Sequence, residues 1–224
     1  MNKNYNKNSQ SGNVLVYVLI AIVLFAALGF TLSRQTQNSS TKEIDSAKAD
    51  ILAMDMLSYS VQTKSVIDQM IFTGSNIAGL VFTLPSEAGF GTSPHIHKIF
   101  HPEGGGLSLA NLPSKATAQV STPPDAGWYL GRFNNVEWSK GSGTDVILTA
   151  HQIAKPVCES INKNVTGSIT IPALTGSLST YLVDTGTNND LTAAVCAACD
   201  GYMSLCVSNN AADTYSFYSV LVDR

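Results

Sequence analysis

Four cysteines lie in the last third of the chain: Cys158 stands alone, Cys196 and Cys199 form a C-x2-C pair, and Cys206 follows closely. Three chemistries use such a set. Thiolates hold structural zinc when they come as two half-sites, but Cys158 and Cys206 lie too far apart for a second half-site of ordinary spacing. A C-x-x-C pair also serves thiol–disulfide exchange, which needs a thioredoxin-like strand–helix context that these flanks lack. An even number of cysteines in an exported domain reads instead as disulfides, tying the segment around Cys158 to the C-terminal region. Four cysteines allow three pairings, and spacing does not choose among them.

A second cluster is His95, His97 and His101, with Glu103 two residues on. Imidazoles beside a carboxylate suit a transition metal. The spacing is not the i, i+4 helical pair of a zinc protease, and Pro94 and Pro102 imply an irregular loop, so loop histidines without metal are expected. His151 sits in an apolar run and reads as a surface or core residue. The stretch Asp184 to Asp190, DTGTNND, offers closely spaced oxygens for calcium but lacks a distal bidentate glutamate, and such runs usually mark turns. No nucleophile elbow, P-loop or H-E-x-x-H sequence occurs. No catalytic residue, metal or cofactor is therefore expected, and the chain does not read as an enzyme.

The elements that would carry these residues begin with an apolar run. Val14 to Leu32 is 19 residues without a charge, 13 of them Val, Leu, Ile or Phe. At 1.5 Å rise per residue the run covers nearly a bilayer's hydrocarbon, with insertion favourable by about 4–8 kcal/mol as an upper bound. Lys3 and Lys7 precede it with no acidic residue between, which favours an N-terminus in the cytoplasm and the remainder outside the membrane, the periplasm if the membrane is a bacterial inner one. A cleaved secretory signal would need a shorter apolar core and a small-x-small site beyond it. Net charge is −3, only 13% of residues are charged, and no basic block follows the first ten residues, so no nucleic-acid partner is expected.

A short polar, basic leader ending in Gly12, then Asn13 and a long apolar helix, resembles the prepilin signal of type IV pilins and type II secretion pseudopilins. The resemblance implies cleavage by a prepilin peptidase between Gly12 and Asn13, and retention of the helix as a filament core that packs on other pilin or pseudopilin subunits. It departs at Tyr17, where most such proteins carry a glutamate that pairs with a neighbour's N-terminal amine. Loss of that acid is a feature of some minor and tip subunits. The blocks FHPEGGG, VCESINKNV and YSFYSVLVDR are similar to alphaproteobacterial prepilin-like proteins. The resemblance also implies a short C-terminal disulfide loop, Cys196 or Cys199 joined to Cys206.

Beyond the apolar run, Thr41 to Gly74 reads as an amphipathic helical stem. Ile44, Ala47, Ile51, Met54, Val66 and Met70 form a stripe at 3–4 spacing, and Gly74 is a natural stop. Packing on the chain's own sheet and a coiled coil both use such a stripe; Ser58 and Ser65 interrupt a strict heptad and favour the first. Residues 78–106 read mostly as loop. GWYLGRFNNVEW and DVILTAHQI form a hairpin around KGSGT, and Pro156 starts a short helix. SITIPALTG, STYLVD and YSFYSVLVD are expected strands.

The expected fold is α+β: a long N-terminal helix on an antiparallel sheet, in the pilin layout. The divisions are a leader at 1–12, a spanning helix at 13–34, a stem at 35–74 and a β-rich domain at 75–224. The function that follows is a structural subunit of a pilus or pseudopilus, in a minor or tip position. The alternative is a single-pass, membrane-anchored periplasmic ligand-binding or sensor protein.

Overall fold

The computed structural model describes residues 18, 23, 45–118 and 123–224. The chain divides into two compact units, 1–47 and 48–224. In the first, Val18 and Val23 are helical and exposed. Gly12, Asn13, Tyr17 and the rest of the expected spanning segment lie outside the described residues. Among the described residues no helix is long and apolar enough to cross a membrane.

The second unit is α+β. Residues 45–72 are helical, and the part from 48 onward is α1 of this unit. Gly74, at φ +106°, takes the left-handed conformation that ends the helix. Ser75 N donates to Met70 O at 2.9 Å and Gly74 N to Ile71 O at 3.0 Å, satisfying carbonyls the last turn would leave open.

The buried row on α1 is Ala49, Ala53, Met56, Ser60, Thr63, Ile67 and Met70, alternating steps of four and three residues. That keeps one narrow face on the sheet. It is not the expected stripe. Ile51 and Met54 are 61% and 59% exposed, and only Met70 of the expected set is fully buried among the described residues. Small side chains let the helix approach the sheet closely, and the Thr63 hydroxyl donates to Tyr59 O at 2.8 Å instead of remaining an unpaired buried polar group.

The sheet has four antiparallel strands: β1 (Gly127–Asn134), β2 (Asp145–His151), β3 (Ser204–Ser208) and β4 (Tyr215–Val222), in the order β1-β2-β4-β3. The β1–β2 hairpin and the last strand match the alternation of their sequences. Val146, Leu148, Ala150, Phe217 and Leu221 face α1 and the loop at 80–107. Ile147, Leu205, Val207, Tyr218 and Val220 face the opposite side. Covering both faces makes β2 and all but the last residue of β4 wholly buried.

Helix α2 (Lys155–Thr166) begins with proline in its first turn and ends at Gly167, φ +79°. It packs beside α1 against the sheet, and the Ser160 hydroxyl donates to Asp50 Oδ1 at 2.5 Å. Two expected strands are absent. STYLVD is instead the short helix α3 (Leu178–Leu182), because Leu178 and Leu182, four apart, both bury in the opposite face. SITIPALTG contributes a single bridge, Ala173 to Ser208; Pro172 has no N–H to extend a ladder. The strand that forms next to β4 is Ser204–Ser208, around Cys206.

Candidate functional site

The four cysteines form two buried disulfides. Cys158–Cys206 joins α2 to β3 over a separation of 48 residues, and Cys196–Cys199 closes a one-turn loop. The C-terminal loop implied by the pilin resemblance, with Cys206 joined to Cys196 or Cys199, is therefore corrected. Cys206 lies on the face of β3 turned to α2, where Cys158 sits, while Cys196 and Cys199 pack on the other face. The sheet lies between them. The CxxC sulfurs are buried in an apolar cluster with Leu178, Leu182 and Leu205, an environment that disfavours thiolate attack.

The histidine loop converges only in part. The rings of His95 and His101 stack, 3.9 Å apart and within 6° of parallel, and Phe90 packs against His101. His97 turns away to Ser75, with Nδ1 3.0 Å from the hydroxyl. Glu103 meets His101 through its backbone N–H, which donates to Nδ1 at 3.2 Å. The cation of this loop is Lys98, whose buried ammonium donates to the carbonyls of Gly89, Phe90 and Thr92. An ammonium that satisfies three converging carbonyls does for the loop what a bound ion would do. Among the described residues no group of three His, Cys, Asp or Glu side chains converges to hold a metal.

The Asp184–Asp190 run is a set of turns. Asp184 Oδ1 accepts from Gly186 N at 3.0 Å, and Asn188 caps Thr185 N and donates to Thr180 O and Val183 O. Asp190 Oδ1 accepts from Asn135 N, across at the β1–β2 connection. Each carboxylate serves a different backbone group, so the oxygens do not gather around one point.

The residue that the sequence understated is His151. It ends β2, is buried, and lies 2.8 Å from the Ser216 hydroxyl on β4 through Nδ1. Tyr129 on β1 meets its ring edge-on at 6.2 Å. Burial without a carboxylate partner lowers its pKa to about 4, so the ring is neutral at physiological pH. His151 lines a cavity of about 150 Å³ with Pro123, Pro124, Gln152, Ser177, Leu178, Ser179, Asn209 and Thr214. Gln152, which follows at φ +55°, donates from Nε2 to Pro124 O at 2.8 Å and so fixes one wall. These residues come from four separate stretches of chain, so no local motif announces them.

One further polar group is buried at the far end of β2. Asp145 accepts from Val136 N at 2.8 Å and Arg224 N at 3.3 Å, and burial raises its pKa. Its bonds close the β1–β2 connection and the chain end after β4, a structural duty. No family model, no curated protein and no solved structure matches this chain.

Proposed function

We propose that this chain is a structural subunit of a pilus- or pseudopilus-like filament, in a minor or tip position, exported from the bacterial inner membrane. The observation that carries the reading is the second face of α1. Opposite the buried row, Ile51, Met54, Val61 and Phe72 are exposed, the last two by 70% and 91%. Large apolar groups along one helix face are the mark of a surface that association covers. The occupant is the helix of a neighbouring copy or related subunit, since the apolar run Val14–Leu32 precedes α1 in the same chain and assembles by the same packing. The two disulfides suit an oxidising periplasm. Pilin-like layout, cleavage after Gly12 by a prepilin peptidase and the role of Tyr17 belong to this proposal.

The test is the intact mass and N-terminal sequence of protein recovered from membranes, with and without the prepilin peptidase. A mature chain starting at Asn13, N-methylated, supports the reading. An uncut chain or a cut near residue 33 rejects it. The second reading, a membrane-anchored ligand-binding protein, is favoured by the cavity at His151 and retains an intact N-terminus.

A further inference from the structure

The cavity at His151 has a chemistry that narrows what fits it. Among the described residues that line it there is no Lys, Arg, Asp or Glu side chain. Asp213, beside Thr214 in sequence, is engaged by the Asn209 amide at 2.5 Å and the Thr214 hydroxyl at 3.1 Å. His151 contributes a neutral ring. Among the described lining residues an anionic ligand would find no counter-charge, and the one carboxylate beside the lining, Asp213, is held by Asn209 and Thr214. A wholly apolar ligand would strip water from the Ser177, Ser179 and Thr214 hydroxyls without replacing their hydrogen bonds.

The lining has two textures. Pro123, Pro124 and Leu178 supply C–H surface, while His151, Ser177, Ser179 and Thr214 supply hydrogen-bonding groups. Several of the polar groups keep capacity for a ligand. Among the described residues the Ser177 and Ser179 hydroxyls bond to each other, at 2.8 Å, which leaves at least one lone pair on each. The Thr214 hydroxyl donates to Asp213 and still accepts. His151 is bonded through Nδ1, and no group among the described residues bonds its Nε2. Whether Nε2 is donor or acceptor depends on which of His151 and Ser216 gives the proton between them. A ligand hydroxyl both donates and accepts, so it satisfies either tautomer.

We propose that this cavity is a binding site for one ring of a neutral polyhydroxyl ligand, a terminal sugar residue, with its C–H face on Pro123, Pro124 and Leu178 and its hydroxyls on His151 Nε2, Ser177 and Ser179. About 150 Å³ equals the liquid volume of about five waters, which suits a single ring rather than an extended chain. The inference is independent of the filament reading: it holds whether or not residues 1–12 are removed.

The experiment is saturation-transfer NMR on the full chain in detergent micelles. The probes are neutral pyranoses (glucose, galactose, mannose, N-acetylglucosamine), with glucuronate and glucosamine as charged controls. Transfer to one or more neutral sugars and not to the charged ones is expected. Ser177→Val, at an exposed position, should keep the near-ultraviolet circular dichroism of the parent and weaken that sugar about tenfold. His151→Phe should abolish binding; if it fails to fold, Ser179→Val takes its place with the same expectation. Absence of transfer from all neutral sugars, equal binding of a charged control, or binding that survives in the folded variants overturns the proposal.

Discussion

The two faces of the sheet are closed by different means, and their chemistry differs accordingly. On one face lie the helices α1 and α2, with the loop at 80–107 beside α1, and their buried rows meet Leu148, Ala150, Phe217 and Leu221. On the other lies chain with little regular structure, from Pro172 to Met203, held by short turns, by α3 and by the Cys196–Cys199 disulfide. A helix repeats its contacts every turn and leaves no polar backbone to satisfy, so it covers a sheet with small side chains and a dry seam. An irregular layer must bond its own backbone residue by residue. It therefore brings hydroxyls and amides with it, and at the end of β2 it leaves the polar cavity beside His151. If stability is concentrated on the first face and the proposed ligand chemistry on the second, the two faces should answer differently to substitution.

The largest test of that division is Phe217→Ala on the helical face. Phe217 is fully buried among Ala53, Met56, Cys158 and Cys206. Its truncation should cost about 3–5 kcal/mol in denaturant unfolding of the C-terminal unit. A cost below about 1 kcal/mol would mean that the helical face does not carry the core.

The disulfides give the next contrast. Cys158–Cys206 restrains a separation of 48 residues and Cys196–Cys199 one of 3. Loop-closure entropy assigns about 4 kcal/mol to the first and about 2 kcal/mol to the second. Paired Cys→Ala variants, compared by urea midpoint, should follow that order. The reverse order would show that the irregular face depends on its crosslink more than the helical face does on α2.

A smaller effect is read by pH at the two ends of β2. The unfolded chain protonates His151 near pH 6.5, while the native protein resists until about pH 4. Between those values the unfolded state binds more protons, so native stability falls as pH drops through the window, by about 3 kcal/mol in all. Asp145 works in the opposite sense. Its raised pKa means the native state holds a proton more tightly, so its contribution improves as pH falls toward and below the ordinary carboxylate range. The difference between parent and His151→Gln, measured from pH 7.5 to 4, isolates the histidine. Identical pH profiles would remove the argument that burial alone keeps that ring neutral.

The helical and irregular faces were unequally legible in the sequence. Alternation and a glycine-bearing turn disclosed the β1–β2 hairpin, Pro156 the start of α2, and Gly74 the end of α1. Hydropathy alone gives the wrong phase for α1 because it passes over small and polar residues, whereas close packing on the sheet buries Ala49, Ala53, Ser60 and Thr63. On the irregular face the signals are weaker still. STYLVD carries β-prone residues, yet the Leu178–Leu182 pair decides for a helix through burial that only the folded sheet provides. The cavity depends on residues 123–124, 151–152, 177–179 and 209–214 meeting in space, and no periodicity within any one stretch encodes that. The cysteines were visible as a set, but their pairing follows from which side of β3 each occupies.

The exposed apolar row of α1 supplies the smallest expected effect on folding. Ile51 and Val61 are exposed on α1, so Ile51→Lys with Val61→Lys removes no core contact and retains good helix formers. Unfolding of the C-terminal unit should change by no more than about 0.5 kcal/mol. If these residues pack on a neighbouring subunit, the same double variant should be processed and exported normally yet fail to enter filaments sheared from cells, as two ammonium groups buried in an apolar contact have no partner. Filaments that still incorporate the variant would remove the exposed row from the assembly surface. A loss of several kcal/mol in the isolated protein would show instead that the row belongs to the fold. The pair of readouts thus asks of one helix what the two faces ask of the sheet: which side serves folding and which is left for contact with something else.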